Sequence, residues 1–249
     1  MRISYNQALA TSLNERYNLS GQVDDLEQSI LHYTEAIFLP HHFDSKHRQI
    51  VALNFFATTR LLLLRAGHTK QPEDVKRPVI YLRYLHGQSL EAFNSSPDMI
   101  KEKLVCALAV QVELELGDVM QDIEEMADLI LELLDSAIWT ISTDTITSFA
   151  GVVKLRFGRW GKGKEPPAKV IDCLRKAKKR LPDLDGLSIA LACTLLDRFC
   201  IAYSNDDYEE GTAILDRFLT SRDPGDDPSQ FREALSFISV FAQARLSSS

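Results

Sequence analysis

The chain has 249 residues and a formal net charge of −7, with a sequence pI near 5.4. A polyanion is repelled over most of such a surface, which disfavours nucleic acid and anionic membrane as whole-surface partners. The opening Met1-Arg2-Ile3-Ser4-Tyr5-Asn6-Gln7 lacks the apolar stretch of a secretory signal, and no later run reaches the roughly 18 apolar residues of a membrane span; the expectation is a cytoplasmic protein.

In the first element Leu9, Leu13 and Tyr17 recur at helical spacing, and Ser20-Gly21 interrupts. Asp24 then caps a second helix carrying Leu26, Ile30, Tyr33 and Ile37, and Pro40 ends the unit. This predicts a helix, a tight turn and an antiparallel helix over 6–39. Two amphipathic stripes cannot be fully buried by one pair alone, so the unit calls for neighbours.

The next pair spans 45–87. Its apolar stretch from Ile50 to Leu64 is broken by Asn54, Thr58, Thr59 and Arg60, as suits a buried helix better than a lipid-facing one. Further pairs are predicted at 98–135, 142–181 and 186–220, with a lone helix over 229–246 that would cover the exposed flank of the last pair. Gly21, Gly67, Gly117, Gly161 and Asn205 close the first helices at intervals of about 44 to 50 residues, the range of helix-pair repeats. Asp24-Asp25, Glu73-Asp74, Asp118, Glu165-Pro166 and Asp206-Asp207 then start the second helices, where acidic side chains oppose the positive end of the helix dipole.

Apart from Trp139-Thr140-Ile141, nothing reads as strand. The predicted class is all-α: a solenoid of about five antiparallel helix pairs plus a C-terminal capping helix, forming one domain over 1–249. Pro40 to Phe43, Asn94 to Pro97 and Asp223 to Pro228 are its joints.

The residues Ala8-Leu9, Leu13, Arg16-Tyr17, Gly21, Asp24-Asp25-Leu26-Glu27, Ile30, Tyr33 and Ala36-Ile37 resemble the degenerate tetratricopeptide repeat abundant in filamentous fungi. Tyr81-Leu82-Arg83-Tyr84-Leu85-His86-Gly87 and Asp122-Ile123-Glu124-Glu125-Met126 resemble segments of the same proteins, so the likeness covers about the first 135 residues. Such arrays often precede a caspase-like CHAT protease domain, of which no segment here carries the motifs. The repeats exceed the usual length of about 34 residues, and the family signature is only partly kept. The resemblance implies a helical scaffold for protein binding, with the first helix of each pair lining the binding face, and it transfers no catalytic residue.

Several patterns fall short of a chemical site. Gly158-Arg159-Trp160-Gly161-Lys162-Gly163-Lys164-Glu165 spells a phosphate-binding loop until Glu165 replaces the required hydroxyl, and Pro166-Pro167 remove two amides. His41, His42, His47 and Asp44 match no closed metal-site spacing, and they flank a joint. His32, His68 and His86 lie far apart in sequence and give no nucleophile with a base and an orienting group. Cys106, Cys173, Cys193 and Cys200 have no C-x-x-C pairing and sit in apolar helical patterns as small hydrophobes. No catalytic residue, metal or cofactor is expected, and the expected class is not an enzyme.

Charge is unevenly spread. From Glu113 to Asp135 every charge is acidic, while Lys154 to Arg180 holds eleven cations against Glu165 and Asp172. In a solenoid these neighbouring segments either compensate each other or leave an electropositive strip for an acidic partner. The candidate partner-binding residues of that strip are Arg156, Arg159, Lys162, Lys164, Arg175, Lys176, Lys178, Lys179 and Arg180. Lys176-Ala177-Lys178-Lys179-Arg180 also spells a weak nuclear-localisation pattern. The functional expectation is a non-catalytic protein-interaction scaffold. The alternatives are the sensor or scaffold half of a fungal CHAT-protease or signalling system and a polyanion-binding module over 154–180.

Overall fold

Left-handed residues decide where the first helices stop. In the computed structural model, which describes residues 2–38, 45–87, 96–137, 140–157, 165–221, 232, 234–237 and 239, helix α1 (Arg2–Ser20) ends where Gly21 adopts a φ of 70°. The N–H of Gly21 then donates to the Tyr17 carbonyl at 2.7 Å, the bond that closes an αL helix end. Helix α2 (Val23–Phe38) follows immediately. The same closure recurs at Lys70, after α3 (Ser45–Thr69), and at Tyr203, after α9 (Asp185–Ala202), with φ values of 53° and 55°. Their amides reach back to Ala66 and Phe199, each at 2.8 Å.

These positions correct two of the predicted breaks, and a third, Gly117, lies beyond the end of α5 (Pro97–Glu113), where Glu115 takes a positive φ of 54°. Gly67 lies within α3, and Asn205 begins α10 (Asn205–Ser221); the turns fall on Lys70 and Tyr203. Neither is a residue type that favours positive φ, so sequence preference points to the nearest Gly or Asn instead. A side-chain clamp holds the turns. Arg16, Arg65 and Arg198 stand near the ends of α1, α3 and α9, and each forms a two-pronged ion pair with an aspartate nine residues later, Asp25, Asp74 and Asp207. The Nε–Oδ2 distances are 2.7, 2.8 and 2.7 Å. Asp74 and Asp207 are 2% and 1% exposed, and a carboxylate so buried is tolerated only when paired.

In the first two copies a hydroxyl repeats as well. Ser20 donates to the Arg16 carbonyl and accepts from the Gln22 amide, and Thr69 does the same with Arg65 and Gln71. Three helix pairs among the described residues thus share one turn device.

The remaining helices are α4 (Glu73–His86), α5 (Pro97–Glu113), α6 (Val119–Asp135), α7 (Thr143–Phe157) and α8 (Ala168–Arg180). Among the described residues these ten helices and the helical residues 232, 234–237 and 239 are the regular structure and no strand occurs, so the class is all-α. Thr140 and Ile141 are not strand, while Trp139 lies outside the described residues. Asp118 caps α6 as its sequence position predicts, accepting from the amides of Met120 and Gln121 at 3.1 and 3.2 Å.

The helices gather into two compact units, 1–117 and 118–249. In the first, each helix packs on the next in chain order, from α1 to α5. Ala10 lets α1 approach α2 closely enough for the Ser29 hydroxyl to donate to its carbonyl at 2.7 Å, and Leu26, Ile30, Tyr33, Leu61 and Leu62 close the core around it. In the second unit α7 packs closest to α9, α6 to α8, and α9 to α10. Helix α9 is its centre: every residue from Leu187 to Asp197 is buried, the pattern of a helix enclosed on all sides. Ala234 and Phe237 join the α9–α10 core, so the part of the predicted capping helix that is described lies against those two helices.

Candidate functional site

The basic segment is largely occupied with its own protein. In the second unit Lys169 Nζ donates to Asp128 at 2.9 Å, and Lys176 pairs with Asp135. Arg175 Nε donates to both carboxylate oxygens of Glu210 at 3.0 and 3.2 Å, and its Nη1 reaches Asp172 at 3.4 Å. Arg180 donates to the Leu134 carbonyl at 2.8 Å, and Lys178 to the Ser188 hydroxyl. The hydrogen bond to Asp128 holds the Lys169 ammonium above its ordinary pKa. Burial is the main cause lowering Lys178, aided by the Arg217 charge.

Of the candidate partner-binding residues, Arg175, Lys176, Lys178 and Arg180 are therefore engaged, Lys179 is exposed and Arg156 is half-buried. Arg159, Lys162 and Lys164 lie outside the described residues, as does the Gly158–Lys164 stretch that mimics a phosphate loop. Acidic α6 and basic α8 lie side by side, and the pairs Lys169–Asp128 and Lys176–Asp135 are compensation between them.

The histidine cluster is likewise out of view: His41, His42 and Asp44 lie outside the described residues, and so does the side chain of His47. Among the described residues no group of three or more His, Cys, Asp or Glu side chains could hold a metal ion. None of the four cysteines forms a disulfide. Burial pushes the Cys173 thiol far above its ordinary value and raises Cys200 as well, so neither is a ready thiolate nucleophile.

A different site lies in the first unit, on the helices expected to open the second and third pairs. A cavity of about 360 Å³ is walled by Phe56, Ala57, Thr59, Arg60 and Leu63 of α3 and by Lys103 and Cys106 of α5. Its walls are mainly apolar with two exposed cations, and no acidic side chain among the described residues lines it. Phe56, Arg60 and Leu63 fall at helical spacing on one face of α3, and Lys103 and Cys106 do so on α5. Arg60 also reaches α1, donating to the Asn14 amide oxygen at 3.2 Å. Nearby on the same two helices, Tyr17 Oη lies 3.0 Å from His68 Nε2.

Helix α3 carries a further anomaly. Asn54, Thr58 and Thr59 are buried, and their side-chain polar atoms have no hydrogen-bond partner. Each such atom costs about 1–3 kcal/mol relative to a satisfied one. The sequence marks these residues as interruptions of an apolar run without showing that Thr59 and Arg60 share a cavity with a helix more than thirty positions away. A first-helix binding face is what the resemblance implies, while the meeting of Arg60 and Lys103 at one cavity is not legible in the sequence, because it depends on how α3 and α5 are turned toward each other. No protein-family model and no curated protein matches the chain.

Proposed function

We propose that the chain is a non-catalytic protein-interaction scaffold of tetratricopeptide-like type, taking its partner on the faces of its first helices. The observation that carries this reading is the open, mainly apolar cavity between α3 and α5, flanked by Arg60 and Lys103. Binding sites combine an apolar body with a few placed polar groups, and this one has that composition. The Arg–Asp turn device supports a modular chain, in which one helix–turn–helix unit is used three times among the described residues. The tetratricopeptide resemblance of the first 135 residues points the same way.

Affinity capture from the source cell extract tests the reading. The comparison uses wild type, an Arg60→Glu/Lys103→Glu variant, and a variant with Glu at Arg175, Lys176, Lys178, Lys179 and Arg180, each first shown folded by circular dichroism. The expected result is a stoichiometric protein partner that survives the second variant and is lost on the first. A partner lost only on the second variant would move the site to the basic segment and favour the polyanion-type reading. No partner with any of the three would sink the scaffold reading.

A further inference from the structure

We propose that the α3–α5 cavity is an anchor site for an acidic peptide segment of a partner protein. One large apolar side chain enters between Phe56, Ala57 and Leu63, and a neighbouring carboxylate is held by Arg60 and Lys103. This rests on the scaffold reading and gives it a ligand chemistry.

Three features select that occupant. The first is volume: about 360 Å³ lies near the lower end of the roughly 300–1,000 Å³ found for ligand pockets, enough for a single anchor and too small for a folded element. The second is charge. Arg16, Arg65, Arg175 and Arg198 each hold a carboxylate of their own protein. Arg60 instead meets the neutral amide of Asn14, and Lys103 has no ion-pair partner among the described residues. Two cations on opposite walls without a carboxylate between them, in a chain of net charge −7, form a local site for an anion that the rest of the surface repels.

The third feature is Thr59. It lines the cavity at 4% exposure, and its hydroxyl is without an acceptor. A carbonyl or carboxylate oxygen brought in by the ligand supplies one, relieving a buried donor that the free protein leaves unpaired. The apolar walls require desolvated contact, and the cations fix which neighbours the inserted side chain carries. The anchor contributes the larger share of affinity and the charges contribute discrimination, the usual division at a small interface.

The test is selection of random twelve-residue peptides displayed against the full chain. Binding of the winners is then measured by fluorescence anisotropy to wild type and to Arg60→Glu/Lys103→Glu, whose substituted positions are both exposed. The expected winners carry a large apolar residue within one or two positions of Asp or Glu. Replacing that residue by Ala, or the acids by their amides, weakens binding about tenfold or more. The charge-reversed variant loses affinity to the same degree and regains it when the peptide's acids are changed to Lys. Bound peptide also slows alkylation of Cys106, read by peptide mapping, while leaving Cys200 unchanged.

Winners without acidic residues, equal affinity for both proteins, or an unprotected Cys106 would each overturn the anchor chemistry. In those cases a captured partner lost on the first-helix variant would leave the scaffold reading intact. Failure of both capture and selection would remove both. Self-association of wild type that the same variant abolishes, with no peptide selected, would overturn the proposal in favour of a second copy of the chain.

Discussion

Between residues 1 and 117 the order of helices in space follows their order in the chain, whereas between 118 and 249 α6 packs mainly on α8 and α7 on α9, each one helix apart, and α9 and α10 still pair in order. Turn length accounts for part of this. Gly21-Gln22 gives α1 and α2 no choice but to pack together, and residues 70–72 do the same for α3 and α4. Helix α7 reaches α8 through residues 158–167 and is free to find its best surface. That surface is α9, where Ser188, Ala190, Ala192 and Cys193 keep the helix slim and small side chains permit close approach of backbones. A short turn dictates a neighbour; a long one leaves the choice to side-chain volume.

The largest effect expected from this contrast is at the enclosed helix. Leu196→Ala on α9 removes a fully buried side chain and costs about 2–5 kcal/mol in urea unfolding. Leu13→Ala costs clearly less, because α1 is an outer helix on which Ala10 alone is assigned to the core. Equal losses would break the picture of a second unit built around α9.

The turn clamp, in contrast, is common to both units. Arg65→Met and Arg198→Met each leave a buried aspartate unpaired and are expected to destabilise by a similar amount, about 3 kcal/mol. The third copy is read out by pH. Hydrogen bonding to Arg16, the dominant cause, holds the Asp25 carboxyl below its ordinary value of 3.8. A depressed folded-state pKa contributes stability that is fully present above the unfolded value and lost as pH falls through the folded one. Acid titration of stability should therefore be steeper below about pH 4 in wild type than in Arg16→Gln, and an unchanged slope would exclude this pair from the acid response.

Two smaller effects sharpen the contrast. Thr58→Val in the first unit deletes a buried hydroxyl that has no partner and should raise stability by about 1 kcal/mol. Gly211→Ala in the second places a methyl in ordinary contact, 3.5 Å from the Ala192 carbonyl and 3.6 Å from Leu195 and Leu196. The gain should be at most about 1 kcal/mol, from helix propensity, and thermal melts check both. A loss at Gly211 would mean that α9 and α10 lie closer together than these distances allow.

Much of the fold is legible in the chain because its determinants are local. The pattern Leu9, Leu13, Tyr17 sets a helical face, Asp118 caps α6 where it stands, and Gly21 and Gly117 take positive φ as their chemistry suggests. Where a local signal and a tertiary one compete, the sequence misleads: Gly67 and Asn205 look like helix ends, but the clamps of Arg65 and Arg198 fix the turns at Lys70 and Tyr203. The basic segment leaves two readings open in the sequence for the same reason. Lys169, Arg175 and Lys176 are compensated because α6 and α10 bring Asp128, Glu210 and Asp135 beside them. Lys103 attracts no notice in the chain and Arg60 only as a break in an apolar run; both stand out once no acidic side chain among the described residues lines the cavity they flank.

By itself, then, the sequence determined the all-helical class, the places of the helices and such ends as Gly21 and Asp118, since backbone hydrogen bonds and a 3.6-residue period act over one or two turns. Tertiary structure decided which helices became neighbours, which cations were neutralised and which were left over. Those outcomes depend on distances between residues far apart in the chain, set by how side-chain volumes fill a shared core.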